Sequence, residues 1–202
     1  MKGILLLNGR PYGGRIDAEG ARVYCCDGAF AWAKGKVKIY KNIGDFDSLK
    51  EPPFPPPDEV YPSEKDFTDG EIALRRMIDD GIDDITVYGA FGGREDHFLG
   101  NLQLLYYACA RGVSMRLVSE DSIIFAARNK IELGGYVGRT ISVFPFSAPL
   151  HILESRGFKY SYPQQIGYGE CRGVSNIVLS AEASISLRGE DTALVIINLG
   201  RV

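Results

Sequence analysis

Residues 68–93, "TDGEIALRRMIDDGIDDITVYGAFGG", decide the fold. Ala73, Leu74, Met77 and Ile78 recur at helical spacing, so 68–81 is predicted as an amphipathic helix. Thr68 with Glu71 is a capping-box pattern, and Gly81 supplies a C-terminal stop. "DITVYG" (84–89) then reads as a strand and runs into glycines. "HFLGNLQLLYYACARG" (97–112) resumes helical spacing, with Phe98, Leu102, Leu105, Tyr106 and Cys109 on one face. Strands alternating with helices imply a mostly parallel sheet covered on both faces.

The alternation extends in both directions. Upstream, "GILLLN" (3–8), "ARVYCC" (21–26) and "KVKIYKNI" (36–43) are predicted strands, and "AFAWAK" a short helix. "EPPFPPPDEV" (51–60) is a stiff proline-rich connection, and "DEVYP" a short fourth strand. Downstream, "SMRLVS" (114–119) is a sixth strand. After Glu120 the pattern changes to short strand-like runs such as "SIIFAAR", "RTISVFPF" and "TALVIIN", separated by Gly, Pro and Asn. That pattern suggests an all-β unit, a sandwich or barrel. The expectation is therefore an α/β domain over 1–121 and a smaller β-sandwich domain over 122–202.

Composition narrows the function. The chain has 202 residues, 45% of them hydrophobic, enough for a proper core. A formal charge of −3 without any basic block argues against a nucleic-acid footprint. Cys25, Cys26, Cys109 and Cys171 form no C-x-x-C pair, and only His97 and His151 could join them, so neither zinc nor a disulfide framework is expected. The N-terminal apolar run is too short for a signal peptide, and no segment approaches a membrane span. A cytoplasmic protein is the expectation.

Ligands of open parallel sheets bind beyond the carboxyl ends of the strands. Asn8-Gly9-Arg10, Asp27-Gly28, "IGDFDS" (43–48), Lys65-Asp66 with Asp69, and "GAFGGRED" (89–96) all fall on that one edge. Taken singly, each has a structural reading: a turn at 44–48, a first-turn acid at Asp69, a helix cap at Asp96. Taken together, Asp27, Asp45, Asp47, Asp66 and Asp69 crowd one edge, and like charges repel. A hard divalent cation resolves the repulsion, and magnesium is the usual one beside phosphates. Lys65 and Arg94 suit anionic oxygens, and "GAFGGR" before a helix lets backbone N–H groups approach a phosphate. No Walker or dinucleotide fingerprint is present. The residues alone thus point to a magnesium-dependent enzyme acting on a phosphoanhydride.

"IGDFDS", "KDFTDGEIAL" and "GAFGGREDHFLGN", in this order, with "CDG" (26–28) and "GVSN" (173–176), resemble the thiamine pyrophosphokinase family. The resemblance implies diphosphoryl transfer from ATP to thiamine, giving thiamine diphosphate and AMP. It implies Mg²⁺ ligands at Asp45, Asp47 and Asp69, with Lys65, Arg94 and Asp96 around the phosphates. Substrate contacts are implied at Asp27, Gly28, Ser48, Asp66, Gly92, Gly93, His97 and Asn101. In the β part, Ser175 and Asn176 match an element that lines the thiamine site, and Tyr160 falls where an aromatic, often Trp, is expected. A homodimer with sites shared between chains is also implied. The chain departs from the pattern at Asp27-Gly28-Ala29-Phe30, where the family usually has a second Gly and an Asn. The alternatives are a hydroxymethylpterin-type diphosphokinase and a non-catalytic thiamine or nucleotide sensor.

Overall fold

The computed structural model describes residues 1–46, 56–62 and 66–200. The chain forms two compact units, Met1–Glu120 and Asp121–Val202. Among the described residues, no helix is long and apolar enough to cross a membrane.

The first unit is built on six parallel strands: β1 (Lys2–Leu6), β2 (Ala21–Cys26), β3 (Lys41–Gly44), β4 (Glu59–Val60), β5 (Asp84–Tyr88) and β6 (Ser114–Val118). They lie in the order β6-β5-β1-β2-β3-β4. Both faces of the central strands are buried, as near-continuous apolar runs require. On one face Ile4, Leu6, Val23 and Cys25 pack on Ala29 and Ala33 of the short helix α1 (Ala29–Ala33). Helix α2 (Asp69–Asp79) covers the other face so closely that a Cβ on Gly3 would fall 2.6 Å from the Met77 methyl. Helix α3 (Glu95–Cys109) buries Leu104, Leu105 and Ala108.

Three local expectations change. The strand predicted over 36–43 begins only at Lys41. The alternation before it drops Val37 and Ile39 from a non-strand segment onto the α1-face core. The buried stripe of α3 keeps only Leu105 of the predicted face. Phe98 turns instead to Phe91, with ring centroids 5.6 Å apart. The capping box of α2 is half formed. Thr68 Oγ1 accepts from the Glu71 N–H at 3.2 Å, but the Glu71 carboxylate goes to Arg75.

The second unit is a sandwich of two antiparallel sheets. One joins β12 (Asn176–Ile177), β9 (Thr140–Pro145), β14 (Ala193–Asn198) and β7 (Ser122–Ala127). The other joins β11 (Gln165–Ile166), β10 (Leu150–Arg156), β13 (Ser184–Leu187) and β8 (Lys130–Glu132). Alternate residues such as Ala193, Val195 and Ile197 meet Leu150, Ile185 and Leu187 in one core.

At the amino ends of the parallel strands a polar knot holds α2 to the sheet. Buried Tyr24 donates its hydroxyl to Asp80 Oδ2 at 2.5 Å, and Lys41 Nζ donates to the same oxygen at 3.1 Å. Arg76 and Lys41 both pair with Glu59. The Tyr24 hydrogen bond, opposed by burial and aided by Lys41, holds the Asp80 carboxyl below its ordinary range. A depressed carboxylate stabilises the fold above its unfolded pKa and loses that contribution as pH falls through the folded value. Tyr24→Phe should therefore cost about 1–2 kcal/mol at pH 7. Most of that deficit should vanish in acid, as urea titrations at neutral and acid pH would read.

Candidate active site

The carboxyl edge of the parallel sheet carries a cavity of about 550 Å³. Its walls come from residues after β1, β2 and β5, from the start of α2 and from the first turns of α3. The loops after β1 and β5 are zipped together. Leu7, Gly9 and Arg10 N–H groups donate to the carbonyls of Tyr88, Gly89 and Phe91 at 2.9, 2.8 and 2.6 Å. Gly9 cannot carry a side chain, because its Cβ would fall 2.4 Å from the Gly89 carbonyl oxygen.

Asp27, Asp45 and Asp69 converge in the first unit. One carboxylate oxygen of each lies within 4.8 Å of the others, and among the described residues this is the only such group. Asp27 sits just beyond β2 at φ +28°, and its N–H donates to the Ile43 carbonyl at 3.0 Å. Gly44 permits this approach: a Cβ there would lie 2.9 Å from Asp27 Cβ and 3.1 Å from its backbone. The glycine of "IGDFDS" is thus explained by backbone contact with Asp27. Phe46 follows at φ +57°. Asp69 opens α2, where the helix dipole favours an acid, and its carbonyl accepts the Cys26 thiol at 3.5 Å. Three clustered carboxylates are the oxygen donor set of a hard divalent cation, so the residues fit magnesium.

The remaining predicted residues of this unit divide into groups. Asp47, Ser48 and Lys65 lie outside the described residues. Asp66 is exposed in the turn before α2. Arg94 and Asp96 form a bidentate pair at 3.1 and 2.6 Å, and that pair holds the Asp96 carboxyl below its ordinary range. His97 lines the cavity, its N–H donating to Asp96. Asn101 Nδ2 donates to the Ala90 carbonyl at 3.0 Å and so anchors the glycine loop. Gly92 and Gly93 have φ of +69° and +94°, in the left-handed region that favours glycine. Gly28 has ordinary dihedrals but no space, since a Cβ would overlap the Asn8 amide at 2.2 Å. Asn8 and Gly9 were legible as strand-end residues, yet nothing local gave them a role. Burial pushes the neighbouring Cys25 thiol up to about 12, which makes it inert.

In the second unit, Tyr160 is 57% exposed with Lys159 Nζ 5.2 Å from its ring centroid. Ser175 is exposed at φ +59°, its N–H donating to Ser142 Oγ. Asn176 is buried and occupied. Its Oδ1 accepts from the N–H of Tyr160 at 3.0 Å and of Ile177 at 2.9 Å, and its Nδ2 donates to the Tyr160 carbonyl at 2.8 Å. Asn176 therefore fixes the Tyr160 backbone.

Residues 16–117 match the family model of the thiamin pyrophosphokinase catalytic domain, and residues 128–190 that of the thiamin pyrophosphokinase vitamin B1 binding domain. A thiamine pyrophosphokinase of Bacillus subtilis (strain 168) is 35% identical, the match covering 71% of this chain and 72% of that protein. The crystal structure of thiamine pyrophosphokinase from Bacillus subtilis aligns with a TM-score of 0.85 at 28% identity, covering 98% of this chain and 99% of that one. That of thiamin pyrophosphokinase from Geobacillus thermodenitrificans aligns with a TM-score of 0.82 at 25% identity, covering 98% and 97%.

If the triad holds magnesium, Mg²⁺ should raise the melting temperature by mass action. Asp27→Asn should abolish that rise while the protein stays folded, because Asn tolerates a positive φ. A Mg²⁺-dependent shift that survived the substitution would remove Asp27 from the metal site.

Proposed function

This chain belongs to the thiamin pyrophosphokinase family, and from that premise we propose how its residues divide the work. It is an enzyme, a diphosphotransferase that forms thiamine diphosphate from thiamine. ATP supplies the diphosphoryl group and AMP leaves. The observation that carries this reading is the convergence of Asp27, Asp45 and Asp69 within 4.8 Å beside one cavity, which Asp27 and Asp69 line.

Asp27, Asp45 and Asp69 would hold Mg²⁺, with Asp47 as a further ligand implied by the motif. Bound Mg²⁺ supplies neutralisation of charge on the phosphate oxygens. The chain's own groups do the positioning. Gly92 and Gly93 let backbone N–H groups approach the phosphates, and the 15-residue helix α3 presents its N-terminus to them. Arg94 and Lys65 meet anionic oxygens, and Asp96 orients the Arg94 fork. Catalysis then rests on aligning the thiamine hydroxyl for in-line attack on the β-phosphorus.

Thiamine is assigned to the second unit. The Tyr160 ring offers a face to the thiazolium cation, and Ser175 offers its hydroxyl. Asn176, engaged with Tyr160, acts as support. We assign the enzyme to a homodimer in which one chain's second unit completes the partner's phosphate site.

Incubation with ATP, Mg²⁺ and thiamine should yield AMP and thiamine diphosphate in equal amounts. ADP as the nucleotide product, or AMP release that requires a pterin, would overturn the reading. The shared site has its own test. Asp45→Asn and Tyr160→Ala/Ser175→Ala proteins, each inactive, are dissociated and remixed. About a quarter of wild-type activity should return, since half the dimers are mixed and one of their two sites is intact. No recovery after verified subunit exchange would place each site within one chain.

A further inference from the structure

We propose that Arg75 is a positioning residue: it pins the turn at 66–68 so that Asp69 meets Asp27 and Asp45. The inference rests on the magnesium reading given above. Phe67 occupies the position before the Thr68 cap, where an apolar contact commonly fixes the entry of the chain into a helix. Here Arg75 provides a contact. Its guanidinium carbon lies 4.6 Å from the Phe67 ring centroid and 5.0 Å from that of Tyr107 on α3. Glu71 Oε1 holds the guanidinium by accepting from Nε at 3.1 Å and Nη2 at 2.8 Å. Arg111, just beyond the C-terminus of α3, also has its guanidinium carbon 3.4 Å from the Tyr107 ring centroid. The turn is thereby tied to both helices by one planar group, which a lysine could not replace.

Asp69 stands two residues after Phe67 and one after the cap. Its carboxylate is brought within 4.8 Å of two like charges. Repulsion presses the start of α2 outward, and a turn free to yield would let Asp69 retreat. This also accounts for the half-formed capping box: Glu71 is diverted from the helix start to hold Arg75. Supporting contacts of metal ligands commonly set affinity, because they fix where the ligand oxygens stand.

The test uses the full-length protein with Mn²⁺ as a spin probe and a methylene-bridged ATP analogue. It also reads the Mg²⁺ concentration for half-maximal velocity. Arg75→Met and Phe67→Leu should each weaken Mn²⁺ binding and raise the Mg²⁺ requirement roughly tenfold. The kcat at saturating Mg²⁺ should change less than about twofold, as for a purely positional defect. Phe67→Tyr should restore wild-type values. Arg75→Met removes a positive charge, which by itself strengthens cation binding, so weaker binding reports lost positioning. Unchanged Mn²⁺ affinity and Mg²⁺ requirement, with or without a lower melting temperature, would overturn the role of Arg75. A wild-type protein that neither bound Mn²⁺ nor released AMP would instead overturn the magnesium reading, and the inference with it.

Discussion

The parallel register of the first sheet is the constraint on which the site depends. Leu6 pairs with Cys25 and Tyr88, Cys26 with Ile43, and Gly44 with Val60. Strand ends so aligned deliver their loops to one edge, with no further device. The cost is crowding. Backbones there approach more closely than side chains permit, and Gly9, Gly28 and Gly44 occur where a Cβ would strike a carbonyl, an amide or Asp27. Asp27 and Asp45 come together because β2 and β3 are hydrogen-bonded neighbours with one glycine between them and contact.

Asp69 arrives differently, on a helix, and a helix must be held. Helix α2 is fastened at both ends. At its C-terminus Asp80 gathers Tyr24 and Lys41 from β2 and β3. At its N-terminus Arg75 draws the preceding turn against α2 and α3. Between them Ala73, Leu74 and Met77 are fully buried. Apolar burial fixes the helix on the sheet, but burial is non-directional and tolerates sliding. The polar ties at either end restrict that sliding, so Asp69 keeps its place beside Asp27 and Asp45.

The sequence was most legible where periodicity is strong. Helix α2, strand β5 and the two kinds of sheet follow from patterns of 3.6 and 2. It was least legible where tertiary contact reassigns a residue. Val37 and Ile39 alternate as a strand does, yet they cover a core from an irregular segment. Phe98 carries helical spacing but turns to Phe91. At the site, the shared edge of Asp27, Asp45 and Asp69 was legible from the strand ends, whereas their convergence within 4.8 Å was not, since neighbouring strands and the start of a helix make it. Asn176 had the chemistry of a ligand contact, and only the buried geometry reveals that its amide is engaged with Tyr160. Close approach between distant backbones leaves no local signal beyond an unexplained glycine.

Strain separates function from stability in this chain. Four described residues other than glycine have positive φ: Asp27, Phe46, Asn129 and Ser175. Asn129 joins β7 to β8, where asparagine in a left-handed turn is ordinary. The other three fall at the carboxylate triad and at the "SN" element. At such positions glycine is the residue that the backbone favours, and replacing a strained residue by glycine relieves the strain. The chain does use glycine at the neighbouring Gly28, Gly44 and Gly173, where space demands it. At positions 27 and 175 it keeps a carboxylate and a hydroxyl against that preference. Asp27 also brings a charge into a cluster that repels it. Backbone and neighbouring carboxylates both disfavour aspartate at position 27, and the magnesium role proposed for its carboxylate accounts for its presence.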